Sequence, residues 1–194
     1  MTFEDMVTTA QGWVAAPVPD EAIAGAKELH ATKFSAGDKS HIESAIGDED
    51  YHWCGELGEM FTDQVLRWRC YTYAWQSNDN DYDPDFNIGG YGVDVKTKNR
   101  GCPPQLKPDW FATVRHDQFV IAKQYGIQAY IFCDYDYKNQ WIYMLGKISY
   151  AQFDKLKIER NVGDVVHDNF TVRKKSWDIR LTDLIVPLEW KKTA

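Results

Sequence analysis

The rhythm of apolar and polar positions changes near residue 85. Before it, apolar residues recur at helical spacing; after it, they alternate with polar ones as in strands. The stretch "PDEAIAGAKELHATKF" (19–34) opens on Pro and Asp and continues in good helix formers, which predicts a helix. A loop at 36–41 and a short helical piece over 41–46 follow, completing a helical lead-in over 1–47. A second helix is expected within 51–73, with Leu57, Phe61, Val65 and Trp68 as its apolar stripe. The segment "SNDNDYDP" (77–84) has the chemistry of a turn.

Period two begins with "DFNI" (85–88), a "GGYG" turn and "VDVKTK" (93–98), which together predict a hairpin. A Pro-rich loop at 101–110 leads to a helix expected over 116–125. Residues 128–136 and 140–149 read as two strands joined by "YKN", and 150–159 as a short helix. The tail alternates again and ends as one or two strands at Pro187. No internal repeat, low-complexity tract or long linker divides the chain, so 1–194 reads as one domain of the α/β or α+β type.

Composition narrows the function classes. An apolar fraction of 44% in 194 residues supplies a core, and no apolar run is long enough to span a membrane. The N-terminus is acidic and lacks the basic and apolar regions of a secretory signal, so a soluble, cytoplasmic protein is expected, in the host cytoplasm if a phage encodes it. Cys54, Cys70, Cys102 and Cys133 form no CxxC pair, so reduced, mostly buried thiols are expected in place of zinc ligands. The five histidines show no HxH or HExxH spacing, and no GxxxxGK[ST] loop is present to hold ATP. The net charge of −7 does not advertise nucleic-acid binding, yet the charge is uneven. Acid gathers at 79–85, and base gathers at 67–69, 96–100, 155–160 and 172–177. Phosphates respond to the local field, so local basic patches can still hold a polyanion.

The chemistry concentrates in "DPDFNIGGYGVDVKTKNR" (83–100). Residues two apart in a strand share a face, so Asp94, Lys96 and Lys98 face one way and Val93, Val95 and Thr97 the other. The preceding strand brings Asp85 across the glycine turn toward Asp94. Two carboxylates meeting there repel unless a cation lies between them, and magnesium prefers such oxygen ligands. A lysine beside that cation can position and help deprotonate a water, the set that phosphodiester hydrolysis needs.

Pro84–Asp85, the glycine turn and Asp94–Val95–Lys96 resemble the PD-(D/E)XK nuclease superfamily, and "GELGEMFTDQVL" resembles the glutamate helix many members place before the first core strand. The resemblance covers about residues 50–150, with 151–194 left as a C-terminal extension. It implies a restriction-endonuclease-like α/β fold: a central mixed β-sheet flanked by helices, with an N-terminal helical addition and a C-terminal β extension. It further implies a magnesium-dependent DNA nuclease, with manganese able to substitute. Asp85, Asp94 and the Val95 carbonyl would hold the metal, Glu59 would assist and Lys96 would serve the water. Lys98 and Arg100 would contact phosphate. Glu56 is the alternative helix carboxylate, although its helical face, shared with Asp63 and Arg67, suits solvent. Asp83 is the alternative to Asp85. Asp94 stands where many members carry Glu. Two other readings remain open: a silent relative that binds nucleic acid or serves a structural role without cutting, and a resolvase-like junction cutter, which implies a homo-oligomer.

Overall fold

The structure is a computed structural model and describes residues 2–36, 53–76, 82–166 and 171–187. The expected helical piece at 41–46, the acids Asp79 and Asp81, three of the histidines (His41, His52 and His167) and Trp190 lie outside the described residues. In chain order the elements are β1 (Val7–Thr8), β2 (Val14–Pro17), α1 (Asp20–Ala36), α2 (Cys54–Trp68), β3 (Tyr73–Trp75), β4 (Phe86–Ile88) and β5 (Tyr91–Arg100). They continue as β6 (Phe111–Arg115), α3 (His116–Ala122), β7 (Ile127–Asp136), β8 (Trp141–Ser149), α4 (Tyr150–Leu156), β9 (Ile158–Arg160) and β10 (Ser176–Arg180).

Seven strands form one sheet in the order β1-β2-β8-β7-β5-β4-β3. Its centre is mixed, because β5 runs parallel to β7 while β4 and β8 pair antiparallel on either side of them. The protein is therefore mixed α/β. Along β7, Ile131, Cys133 and Tyr135 enter a core with α1 and α2, while Tyr130 and Phe132 enter a second core with α3, α4 and the other sheet. In β8 the parity switches: Ile142 and Met144 lie in the first core, but Ile148, an even number further on, lies in the second. The register shift there explains it: Cys133 faces Met144 and Phe132 faces Gly146, so Leu145 is the extra residue of a bulge.

Several expectations need correction. The N-terminal segment is not wholly helical: β2 pairs with β8 and extends the main sheet before α1 begins. Leu57, Phe61 and Val65 are fully buried as expected, but Trp68 is 45% exposed. Helix α2 stops at Trp68 because Cys70 adopts φ 56°, its N–H bonding to the Arg67 carbonyl and that of Tyr71 to the Leu66 carbonyl. This is the Schellman ending, made here by a non-glycine residue and so unmarked in the sequence. Strand β6 (Phe111–Arg115) lies between the expected loop at 101–110 and the expected helix at 116–125, where no element was expected. It pairs with β10, which also pairs with β9, forming a three-stranded second sheet. The C-terminal β extension thus incorporates a strand from mid-chain.

The four cysteines are free, but only Cys54 and Cys133 are buried, each thiol pushed up to about 12 chiefly by burial. No helix among the described residues is long and apolar enough to cross a membrane.

Candidate active site

Gly89 and Gly90, at φ 60° and 88°, make a two-residue turn in the left-handed region that hairpins favour. The register that follows pairs Phe86 with Val93, and β4 goes no further along β5. Asp85, just before β4, fills the next position: its Oδ2 accepts the backbone N–H of Val95 at 2.6 Å. A strand residue sends its N–H and its carbonyl toward the same edge. The Val95 carbonyl therefore leaves β5 on the side of Asp85, beyond the end of β4.

Asp94 is buried, and Lys96 donates to it at 2.8 Å with only 19% of its own side chain exposed. Glu59, on α2, is also buried. Burial, then the charges of Glu59 and Asp94, push the Asp85 carboxyl well above the ordinary aspartate range, against Lys96 and the Val95 N–H. For Lys96, burial works to lower the value, but Asp94, Asp85 and Glu59 outweigh it and hold the ammonium above its ordinary value. Asp85 and Lys96 thus each feel the other and both Glu59 and Asp94, and the lysine is a cation at neutral pH.

Helix α2 reaches this place because of Gly58. A Cβ there would lie 1.8 Å from Thr97 Oγ1, whereas one on Gly55 would meet nothing within 4 Å. Gly58, not the earlier glycine, lets α2 seat on β5. The GxxG spacing in "GELG" was the available signal, and a helix-wheel reading passes over it. Thr62 and Leu66, which share the helical face of Glu59, are also buried.

The alternative Glu56 goes elsewhere. Its Oε1 lies 3.1 Å from Nδ1 of His30 on α1, and its Oε2 is buried without a partner. The expected Asp63–Arg67 pair forms at 3.0 Å, but Glu56 does not share its solvent exposure. The alternative Asp83 is half-buried two residues before Asp85 and is not among the charges that shift Asp85 or Lys96.

The two expected phosphate contacts differ. Arg100 is buried, ion-paired with Asp134, bonded to the Phe111 carbonyl at 2.8 Å and stacked on Trp110 at 4.3 Å. That is a structural role, contrary to the expected surface contact. Lys98 donates to Thr113 Oγ1 at 3.1 Å, and Thr113 donates to Asp178 at 2.7 Å. Arg160 donates to the other Asp178 oxygen at 2.9 Å, completing a polar rung across the second sheet that period counting missed. Burial and the Arg100 charge push Lys98 down to about 8, against Asp178 and Asp134.

The donor chemistry suits a hard divalent cation: Asp85, repelled by both Glu59 and Asp94, and a backbone carbonyl past a strand end. Among the described residues, however, no three His, Cys, Asp or Glu side chains are drawn together in a metal-ligating group. A cation would have to bring the acids closer, with Lys96 sharing Asp94. The residues fit in kind.

Comparison with protein families, with characterised proteins and with solved structures finds no match. What defines the protein is its own geometry: a mixed α/β sheet with an acid–lysine cluster where β4 ends beside β5.

Proposed function

We propose that the protein is a divalent-metal-dependent nuclease of the PD-(D/E)XK type that hydrolyses phosphodiester bonds in DNA. One observation carries the reading: Asp85 is half-buried within the field of Glu59 and Asp94, with Lys96 the cation that acts on it among the described residues. Such a group is unfavourable by itself and becomes favourable around a cation. Asp85, Asp94 and the Val95 carbonyl are the proposed ligands, and Glu59 assists from the helix. Magnesium, or manganese in its place, supplies Lewis acidity at a phosphoryl oxygen and lowers the pKa of a water when bound.

The raised value of Lys96 alters its expected part. A lysine kept protonated cannot take a proton from water. It serves as a donor that orients the nucleophile and stabilises charge on the phosphoryl oxygens, as a preorganised cation does. Proton acceptance then falls to a carboxylate, and Glu59, whose charge acts on Asp85 and Lys96 from the helix, is the proposed acceptor.

The silent-binder reading has one observation in its favour, the existing Lys96–Asp94 pair, which already neutralises one acid. Incubation with circular, linear, single-stranded and branched DNA in magnesium, manganese or EDTA separates the two. Cleavage with either metal and none in EDTA supports the nuclease. Binding without cleavage under all conditions supports the silent relative.

A further inference from the structure

In the parallel pairing of β5 with β7, Asp94 stands beside Tyr130. Paired residues of neighbouring strands send their side chains to the same face of the sheet. For this pair it is the face of the second core, where Tyr130 packs against Phe119 and Phe153 with ring centres 6.5 and 5.4 Å away. The next pair, Val95 and Ile131, enters the first core on the other side. Tyr130 is fully buried, and its hydroxyl has no hydrogen-bond partner among the described residues. Burial, then the charges of Asp94 and Tyr150, push that hydroxyl above the ordinary tyrosine range, so it keeps its proton and is a donor. Thr97 Oγ1 and Asn99 Oδ1 are also buried without partners, but they alternate onto the opposite face of β5.

Asp94 has the acceptor capacity that Tyr130 lacks a use for. Lys96 Nζ lies 2.8 Å from each of its oxygens, yet a carboxylate offers about four acceptor sites. A donor without an acceptor therefore sits beside an acceptor held by one ammonium. A buried hydroxyl without a partner carries its desolvation penalty uncompensated, and phenylalanine would fill the same space without that penalty. The hydroxyl becomes favourable in an arrangement where Lys96 has let go of Asp94. The proposed reaction contains that arrangement. A divalent cation on Asp94 repels the ammonium, and the phosphoryl oxygens attract it.

We infer that Tyr130 is a positioning residue of the same site: its hydroxyl donates to Asp94 once Lys96 is drawn away, and so holds that carboxylate in place for the cation. The inference rests on the nuclease reading for the departure of Lys96. No covalent bond changes. One hydrogen bond on Asp94 is exchanged for another, and the carboxylate keeps a donor throughout.

The test removes Lys96 by substitution, so that neither metal nor DNA is needed. Lys96→Met keeps the stem and takes the ammonium from Asp94. Tyr130→Phe is made in wild type and in Lys96→Met, and thermal melting of the full chain is followed in EDTA at neutral pH. In wild type the substitution deletes an unpartnered group, so the melting temperature should hold or rise by about 2–4 °C. In Lys96→Met it deletes the donor to Asp94, so the melting temperature should fall by about as much. Equal shifts in the two backgrounds, or a fall in the wild-type background, overturn the inference. A second measurement decides if Lys96→Met does not fold. A hydrogen-bonded neighbour of a metal ligand is worth about 10–100-fold in affinity, so Tyr130→Phe alone should bind magnesium at least about tenfold more weakly by calorimetry. Unchanged affinity there overturns the inference. Opposite melting shifts in a protein that cuts no DNA in magnesium keep the donor exchange and remove the nuclease.

Discussion

The backbone N–H of Val95 donates to Oδ2 of Asp85 at 2.6 Å, tying the acid that precedes β4 to the strand that carries Asp94 and Lys96. The bond keeps Asp85 beside two other carboxylates even without a metal. The folded protein therefore holds the Asp85 proton more tightly than the unfolded chain does.

The sign of the pH dependence follows. Stability from a carboxyl of raised value is fully present below the ordinary aspartate value of 3.8 and is lost as pH rises through the folded value. Asp85→Asn keeps an oxygen for Val95 and removes the ionisation. In EDTA, urea midpoints of wild type should fall relative to Asp85→Asn as pH rises from ~4 toward ~8. Parallel curves would show that Asp85 carries no such strain. Saturating magnesium should reverse the order at neutral pH, since a ligand at 100 times its Kd stabilises by about 2.7 kcal/mol and the variant lacks a donor.

Lys96→Ala should lower cleavage by about 10²–10⁴. Its effect on stability differs from that of an exposed strand lysine. The side chain is mostly buried and bonded to Asp94, so its removal leaves a buried carboxylate unpaired, at about 1–3 kcal/mol. Turnover measured on protein shown to be folded by circular dichroism, well below its melting temperature, separates the two losses. Wild-type turnover there removes Lys96 from the mechanism.

The helix carboxylates should part company. Glu56→Gln alters the contact with His30 between α1 and α2, so it should change the melting temperature while leaving cleavage within about twofold. Glu59→Gln should do the reverse, losing about 10²-fold or more in rate as a proton acceptor does. Parallel rate and melting measurements on both variants decide. Equal losses of rate would return Glu56 to the site.

The hairpin, both long central strands and the face of α2 were legible because burial on alternate residues, or on every third and fourth, leaves a period in the sequence. Asp85, Asp94 and Lys96 came together because a glycine turn fixes register locally. Other features leave no period. β6 is too short, at Phe111–Arg115, and takes its character from β10, some sixty residues later. Arg100 looked like one more cation of a basic run, and only the parallel partner β7 brings Asp134 to it. Glu56 sits on a polar helical face that α1 happens to cover. In each case the deciding partner is distant in sequence.

The closest approach of helix to sheet supplies the last prediction. Gly58 seats α2 on β5, and an alanine there would place its Cβ 1.8 Å from Thr97 Oγ1 and 3.0 Å from Thr97 Cβ. Helix propensity alone favours alanine over glycine by about 1 kcal/mol. The clash runs the other way, and overpacking of this kind costs about 1–3 kcal/mol, occasionally more. Gly58→Ala should therefore destabilise the protein and also cut activity, because lifting α2 carries the adjacent Glu59 away from Asp85. Thr97→Ala removes the oxygen that makes the worst contact, leaving a gap of a few tenths of an ångström to absorb. In that background Gly58→Ala should be close to neutral in stability and should recover most of the lost cleavage. A double-mutant cycle on melting and on rate gives the coupling. If the two substitutions simply add, α2 does not depend on Gly58 for its seat and Glu59 is positioned by other contacts.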